Sequence, residues 1–225
     1  SNWNDNNHPS ELTFDTVLTT YAPGGEQNVE HVMVSQPITP VTDATNIAVS
    51  APDVNEGTAV SITIDLSNSA DGSYTNIVDG KLYVALNEDN MDTAGSLFYN
   101  SVEVESQAIS GVSGVPNGTY YVIDSVSNDQ TLNVSYQPSA HASGDVTLTA
   151  LLVSQETDAA NTVTSSQPET FTVNPVNSGF DITADDIACN EDCPVQLDLS
   201  GTGLVDIDGS ESVMAATLAG IPDGY

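Results

Sequence analysis

The segment Val60-Ser61-Ile62-Thr63-Ile64-Asp65-Leu66 decides the fold class, because apolar and polar residues alternate along its whole length. A period of two places every second side chain on the same face, which is typical of a β-strand with one buried face. The same alternation recurs at residues 82–86, 132–136, 146–152, 171–173 and 195–199. Turn-forming clusters separate these runs, and convincing helical periodicity is absent. The sequence therefore predicts an all-β protein of tandem antiparallel β-sandwich domains.

An internal repeat organises the chain. Pro40-Val41 returns as Pro175-Val176, and Asn55-Glu56 returns as Asn190-Glu191, at a constant offset of 135 residues. A repeat of this length is the size of a whole domain, so the pattern indicates a tandem array of domains and not a solenoid.

The repeat predicts three parts. Residues 1–43 would hold the C-terminal strands of a preceding repeat, and residues 44–177 would form one complete β-sandwich repeat. Residues 178–225 would hold the N-terminal strands of a following repeat. The two partial repeats are compatible with a cut through an array, and equally with a split domain that pairs within one chain or between neighbours.

The charge balance excludes several kinds of partner. The 225 residues include 32 Asp and Glu against one Lys and no Arg, for a net charge of −31. Nucleic acids and anionic membrane surfaces need clustered cations, and no apolar run approaches the ~20 residues that span a bilayer. We therefore expect no nucleic-acid partner and no membrane insertion.

The hydrophobic fraction of 39% supports a packed core, so disorder does not explain the acidity. Carboxylate-rich sites without other ligand types favour Ca²⁺ as the neutralising ion, and we expect Ca²⁺ as the cofactor. The alternative is a salt-adapted surface whose acids serve solubility alone.

Two cysteines, Cys189 and Cys193, flank Asn-Glu-Asp. Without a nearby His they make a poor zinc site. Their spacing predicts a small local disulfide in an oxidising compartment, and two free thiols are the alternative.

Several motifs in order carry a family resemblance. Asn190-Glu191-Asp192 precedes an alternating strand, and Asp-Ile-Asp-Gly-Ser-Glu at 206–211 and Gly-Ile-Pro-Asp-Gly at 220–224 follow. With residues 95–100, 132–138 and 143–149, this order resembles the cadherin-like or immunoglobulin-like repeats of giant RTX-type adhesins of Gram-negative bacteria. The resemblance implies secretion to the extracellular cell surface, Ca²⁺ between and within repeats, and attachment of cells to hosts, surfaces or one another, as in biofilms.

Two arguments select metal ligands. The acidic turn 206–211 alternates carboxylates around Gly209, which allows a sharp bend that gathers oxygen atoms. The resemblance adds junction sites, in which Glu56 and Glu191 supply carboxylates to the linkers that precede their own domains. The alternatives are solvated acidic turns and similarity by descent. The predicted ligands are Asp43, Glu56, Asp71, Asp181, Glu191, Asp206, Asp208 and Glu211.

A ligand-binding surface is the second prediction. Its candidate residues are Glu88, Asp89 and Asp92 in an acidic loop, and Tyr120 and Tyr121, which together with Phe98-Tyr99 offer aromatic faces. A host or surface glycan or peptide would be the partner. The alternatives are a solvated loop and tyrosines that alternate between core and surface.

Catalytic motifs are lacking. The three histidines lie far apart, and neither a Gly-x-Ser-x-Gly elbow nor a phosphate-binding glycine-rich loop occurs. We expect no enzyme. The leading hypothesis is a calcium-stabilised adhesin segment that extends the molecule or presents ligand-binding regions. The alternatives are a sugar- or peptide-binding domain in 44–177, and a filament subunit joined to its neighbours by strand complementation.

Overall fold

The computed structural model describes residues 11–39, 41–67, 75–88, 95–156, 159–184, 188, 199–206, 209–217 and 219–220. The regular secondary structure in these ranges consists of strands, which confirms the prediction of an all-β fold. No helix in the described part of the chain has the length and apolar character that crossing a membrane requires.

The strands in chain order are β1 (Glu11–Tyr21), β2 (Gln27–Pro37), β3 (Asn46–Ser50), β4 (Val54–Asn55), β5 (Val60–Ser67), β6 (Thr75–Asn87), β7 (Ser96–Tyr99), β8 (Val102–Val104), β9 (Ser106–Ile109), β10 (Gly118–Asp124), β11 (Gln130–Gln137), β12 (Gly144–Glu156), β13 (Val163–Asn174), β14 (Phe180–Ala184) and β15 (Leu199–Leu204).

Strands β3 to β13 build a β-sandwich, here called the central sandwich. One sheet has six strands in the order β4-β13-β12-β6-β10-β9, and the other has five in the order β3-β5-β11-β7-β8. Neighbouring strands run antiparallel, except that β4 pairs in parallel with β13. The predicted antiparallel β-sandwich is therefore confirmed for this part of the chain.

The alternation in β5 determines which face of its sheet becomes the core. Val60, Ile62, Ile64 and Leu66 are buried, whereas the residues between them face outwards. Full burial of each such side chain stabilises the fold by about 1.5–3 kcal/mol. The period of two thus places all four apolar side chains of β5 on the face that packs into the core.

The opposite wall comes from the six-stranded sheet. Val146, Leu148 and Leu152 of β12 are fully buried and belong to the same cluster as the apolar residues of β5. The rings of Tyr136 on β11 and Phe171 on β13 meet edge to face across the two sheets, with centroids 5.7 Å apart. This contact ties the two sheets together near one end of the sandwich.

The outer face of the six-stranded sheet carries a second, smaller cluster. Tyr83, Val122, Leu151 and Val153 pack there beneath the loop that contains Val115. The loop thereby covers one outer face of the sandwich. On the outer face of the five-stranded sheet, by contrast, Ser61, Asp65 and Asn133 are exposed to solvent.

The two ends of the central sandwich are separated by almost the full length of the β12–β13 hairpin. At the entry end, the Thr42 hydroxyl donates to the Asn161 carbonyl oxygen at 2.6 Å, and the Thr45 amide donates to Ser154 Oγ at 3.4 Å. At the exit end, the chain leaves β13 after Asn174.

Before the sandwich, β1 and β2 form an antiparallel hairpin of two 11-residue strands. One of its faces is mainly apolar. On this face Phe14 lies opposite Val34 and Thr16 lies opposite Val32, while Leu18 lies opposite Glu30. Phe14 and Leu18 remain 53% and 56% exposed. The hairpin therefore presents the kind of face that β-sandwiches bury.

After the sandwich, β14 and β15 repeat the pairing of β3 and β5. Val49 pairs with Ile64, and Ala184 pairs with Leu199, each partner lying 135 positions later. The register of the strands thus follows the same offset as the sequence repeat.

Candidate metal centre

Glu56 lies beside the exit of the chain from the central sandwich. The last pair of the parallel β4–β13 ladder joins Asn55 to Asn174. The Glu56 amide then donates to the Asn174 carbonyl oxygen at 2.9 Å. This short parallel ladder holds the Glu56 carboxylate next to the linker that follows the sandwich.

Ser178 in that linker connects two carboxylates. Its amide donates to Glu211 Oε1 at 2.6 Å, and its hydroxyl donates to Glu56 Oε1 at 3.4 Å. The same hydroxyl lies 3.4 Å from His141 Nδ1, which in turn lies 3.9 Å from Asp206 Oδ2. These five residues, Glu56, His141, Ser178, Asp206 and Glu211, are called the junction cluster.

The acidic residues of the junction cluster are buried to different degrees: Asp206 is buried, and Glu56 and Glu211 are half-buried. Asp206 is only 1% exposed. Glu56 Oε2 and Glu211 Oε2 are buried and make no hydrogen bond with the residues that the structure describes. A buried carboxylate oxygen without a hydrogen-bond donor is costly, so the cluster is suited to an additional positive partner.

The raised pKa of Glu56 also indicates that the cluster is suited to a cation. Burial raises the pKa of the Glu56 carboxyl, and the negative charge of Asp206 raises it further. Hydrogen bonds from the Val176 backbone and the Ser178 hydroxyl oppose this rise in pKa. The net effect disfavours the ionised form of Glu56, which a bound cation would reverse.

The donor set fits a divalent cation. One ligand atom each from Glu56, His141 and Asp206 lie within 4.8 Å of one another. The carboxylates of this set suit Ca²⁺, which takes oxygen ligands from carboxylates, carbonyls and hydroxyls. The imidazole nitrogen is a ligand type that Ca²⁺ rarely uses, so the candidate Ca²⁺ ligands in this group are the carboxylates of Glu56 and Asp206. Glu211 reaches the cluster through its hydrogen bond from the Ser178 amide.

The structure brings three of the sequence-predicted ligands together, namely Glu56, Asp206 and Glu211. Asp181 is exposed on β14 opposite Gly203 and is not part of the junction cluster. Asp43 is exposed at the entry end, next to Thr42. The remaining predicted residues lie outside the described part of the chain: Asp71, Glu191, Asp208, Asp89, Asp92, Cys189 and Cys193.

The position of Glu56 differs from the expectation in one respect. The resemblance paired Glu56 with the linker that precedes its own domain, near Asp43. The structure instead puts Glu56 at the linker that follows the domain. The reason is β4, which is the edge strand of the six-stranded sheet and pairs with the last residues of β13, so that its end reaches the exit of the chain.

His141 was missed by the sequence analysis. It lies in a tight turn in which the Ala142 amide donates to the Ser139 carbonyl oxygen at 3.2 Å. Its φ of 61° is in the left-handed region, where His, Asn and Asp are the most frequent residues after Gly. The sequence around His141 contains no second residue at a spacing typical of metal ligands. Its partners in the cluster lie 35 or more positions away in the sequence.

The predicted ligand-binding residues are used within the fold. Glu88 accepts hydrogen bonds from the Gly95 amide at 2.7 Å and from the Tyr136 hydroxyl. Tyr120 is 8% exposed, packs against Tyr83 and donates its hydroxyl to the Pro116 carbonyl oxygen at 3.1 Å.

Tyr121 is half-buried and packs against the main core. Burial raises the pKa of its hydroxyl, as do the charges of Glu88 and Glu103. Tyr120 is therefore buried, whereas Glu88 and Tyr121 are half-buried. A role of these residues in ligand binding stays a prediction.

No protein-family model matches the sequence, and no curated protein matches it. Among solved structures, AvmM, described as catalysing macrocyclisation in alchivemycin A biosynthesis, is similar at 15% identity and a TM-score of 0.36, over 60% of this chain and 92% of AvmM. AggA, the major subunit of aggregative adherence fimbriae type I from Escherichia coli, is similar at 12% identity and a TM-score of 0.30, over 60% of this chain and 98% of AggA. Likenesses this distant assign no activity to this chain.

Proposed function

We propose that this chain is a calcium-stabilised segment of a secreted bacterial surface adhesin, which extends the molecule and presents adhesive regions outside the cell. The observation that carries the proposal is the junction cluster. It joins Glu56 of the central sandwich to Asp206 and Glu211 of the following unit, across Ser178 of the linker. A cation held there connects two successive units of the chain.

The mechanism is electrostatic. Without a cation, the cluster holds several carboxylates close together and away from water, and their repulsion disfavours the ordered junction. A divalent cation removes the repulsion and replaces the missing hydrogen-bond donors at Glu56 Oε2 and Glu211 Oε2. Because the ion binds only the ordered junction, saturation at 100 times the dissociation constant would stabilise it by about 2.7 kcal/mol.

The adhesive role and the extracellular location rest on the resemblance to RTX-type adhesin repeats. In that setting, a fixed junction turns a string of sandwiches into a stiff spacer. The net charge of −31 supports a cation-rich extracellular environment, since the same charge without counter-ions would work against compact packing.

Differential scanning calorimetry with millimolar Ca²⁺ and with EDTA tests the proposal. We expect Ca²⁺ to raise the melting temperature, and Glu211→Gln to abolish most of the rise. Glu105→Gln is the matched control, because Glu105 is an exposed glutamate outside the cluster. Equal melting curves with Ca²⁺ and EDTA would remove the proposed mechanism.

A filament subunit is a second candidate, favoured by the exposed apolar face of the β1–β2 hairpin. Residues 12–18 of this hairpin resemble residues 146–152 of β12, and β14–β15 repeats the register of β3–β5. In the central sandwich, β12–β13 and β3–β5 are packed in one core. The hairpin of one copy would therefore cover β14–β15 of the next copy.

Geometry favours contact between copies over contact within one chain. The hairpin is attached at the entry end of the central sandwich, whereas β14–β15 follows the exit end. Head-to-tail contacts of this kind build open filaments. Sedimentation at increasing concentration tests this candidate: we expect assemblies that Phe14→Ser disperses, and a strictly monomeric chain would contradict it.

A further inference from the structure

The open outer face of the five-stranded sheet contains a shallow cavity of about 550 Å³. Phe98 of β7 forms one side of it, and Ser61, Ser135 and Asn133 lie beside the ring. This face points away from the core, because the neighbouring Leu97 is fully buried on the other side of the same strand.

Strand register explains why a cavity forms there. Ser135 of β11 pairs with Ser61 on one side and with Phe98 on the other, so the three side chains form one row across the sheet. Two small hydroxyl side chains next to one large ring leave space beside the ring. The ring itself is half-buried between strands, which restricts its orientation.

Polar groups without internal partners surround this space. The side chains of Asn100 and Asn133 line the cavity and make no hydrogen bond with the described part of the protein. The Gln137 amide nitrogen donates to the Pro138 carbonyl oxygen at 3.2 Å, which leaves the amide oxygen as an acceptor. The cavity thus offers donors and acceptors together with one aromatic surface.

The turn at the rim adds a conformational feature. Asn100 and Ser101 connect β7 to β8 with φ angles of 51° and 64°, both in the left-handed region. Two-residue hairpins of this type favour Asn followed by Gly, so the serine occupies a position where glycine is preferred. Ser101 lines the cavity, and a disfavoured backbone conformation at such a position is more common at functional sites.

The charge of the surroundings restricts the ligand. The acidic Glu103 lies opposite Phe98 on β8, and the single Lys of the chain lies on β6 in the other sheet. Anionic ligands would be repelled by the net charge of −31. A neutral ligand with many hydroxyls and an apolar C–H face fits a site made of amides, hydroxyls and one phenyl ring.

We propose that this cavity binds a neutral pyranose sugar, with the sugar C–H face on Phe98 and its hydroxyls on Asn100, Asn133 and Gln137. The inference deepens the proposed adhesive function, on which it rests for the presence of a ligand. It places recognition on the outer sheet face and not at the predicted tyrosines Tyr120 and Tyr121.

Nuclear magnetic resonance titration of the full chain with methyl glycosides of glucose, galactose, mannose and N-acetylglucosamine tests the proposal. We expect amide shifts at residues 98–101 and 133–137 with at least one glycoside. Phe98→Ala should weaken binding by about tenfold or more, whereas Phe98→Tyr, which keeps the ring, should retain it. Val102→Ala is the control, since Val102 is 66% exposed in the same hairpin and is not in the cavity.

The outcomes separate this inference from the calcium proposal. Sugar binding should survive EDTA and Glu211→Gln, because the cavity and the junction cluster share no residue. Asn133→Ala gives a second readout if Phe98→Ala fails to fold. Absence of shifts with every glycoside, shifts elsewhere on the chain, or binding of array peptides in place of sugars would overturn the proposal.

Discussion

At the scale of single residues, Glu56 makes the junction sensitive to pH when no metal is bound. Its pKa is raised above the ordinary value of 4.5 in the folded protein, mainly by burial. At a pH above 4.5, Glu56 therefore binds more protons in the folded chain than in the unfolded chain. As a result, the free energy of unfolding rises as the pH falls from neutrality towards 4.5. A cation bound to ionised Glu56 would remove this dependence.

Glu56→Gln tests this assignment. In EDTA at neutral pH, we expect the variant to melt a few degrees higher than the wild type, because it removes the repulsion between Glu56 and Asp206. In Ca²⁺ the order should reverse, because the variant lacks a ligand. Glu105→Gln should follow the wild type under both conditions, and a lower melting temperature of Glu56→Gln in EDTA would contradict the electrostatic explanation.

Gly95 is required by close packing and not by its φ angle. A Cβ atom added there would lie 2.5 Å from the Tyr136 ring and 2.6 Å from the Gln137 carbonyl oxygen. We expect Gly95→Ala to destabilise the central sandwich by about 1–3 kcal/mol, the usual cost of overpacking. Urea unfolding measures this loss.

Gly24→Ala is the matched control for Gly95→Ala. Nothing lies within 4 Å of a Cβ atom added at Gly24, in the turn of the first hairpin. Its midpoint of unfolding should equal that of the wild type. Equal stabilities of the two alanine variants would show that Tyr136 can move aside.

At the scale of elements, strand β1 and its counterpart β12 should differ in their contribution to stability. Leu152 of β12 is fully buried, so Leu152→Ala should destabilise the central sandwich by about 2–5 kcal/mol. Leu18 of β1 is 56% exposed, so Leu18→Ala should change the unfolding free energy of the sandwich by less than about 0.5 kcal/mol. Circular dichroism in urea compares them, and a comparable loss for Leu18→Ala would mean that the hairpin packs on the sandwich.

Much of the fold was predictable because the informative signal was local. Alternation in β5, β11 and β12 identified the buried faces, since a strand with one buried face needs a period of two. The offset of 135 also predicted which strands are equivalent, and β14–β15 follows the register of β3–β5. Patterns of this kind need only neighbouring residues or a second copy.

The rest depended on contacts that no local pattern encodes. The parallel pairing of the two-residue strand β4 carries Glu56 to the exit end, and so short a strand has no period to detect. Likewise, the tyrosines of β10 were expected to offer aromatic faces, but a covering loop buries Tyr120. His141 lies next to Ser178 and Asp206 only because the tertiary fold brings these distant residues together.

At the scale of the whole molecule, the net charge of −31 should make the melting temperature depend on the salt concentration. Bound Ca²⁺ should weaken this dependence. In EDTA, raising NaCl from about 0.01 M to about 0.15 M shortens the Debye length from about 30 Å to about 8 Å and screens the repulsion between carboxylates. We therefore expect the melting temperature to rise with salt, and to rise less in Ca²⁺. An equal salt dependence with and without Ca²⁺ would indicate that the acids act only through the general surface charge.

Small-angle X-ray scattering tests whether Ca²⁺ also fixes the shape of the molecule. Saturating Ca²⁺ should narrow the distribution of distances between the central sandwich and the residues after 178. The reason is that the junction cluster connects these two parts of the chain. The variant Glu211→Gln should keep the broader distribution in Ca²⁺. A distribution that is identical with Ca²⁺ and EDTA would contradict a stiffening role.

The presence of one Lys and no Arg has a practical consequence. Trypsin cleaves only after Lys or Arg, so this chain contains one tryptic site, at Lys81. Lys81 lies within β6, where it pairs with Asp124 of β10 in the middle of the six-stranded sheet. Proteolysis needs an extended, unpaired segment, so the central sandwich must open before the bond after Lys81 is cut. The rate of that one cleavage, followed on a gel as a single band becoming two, reports the opening of the sandwich without any label.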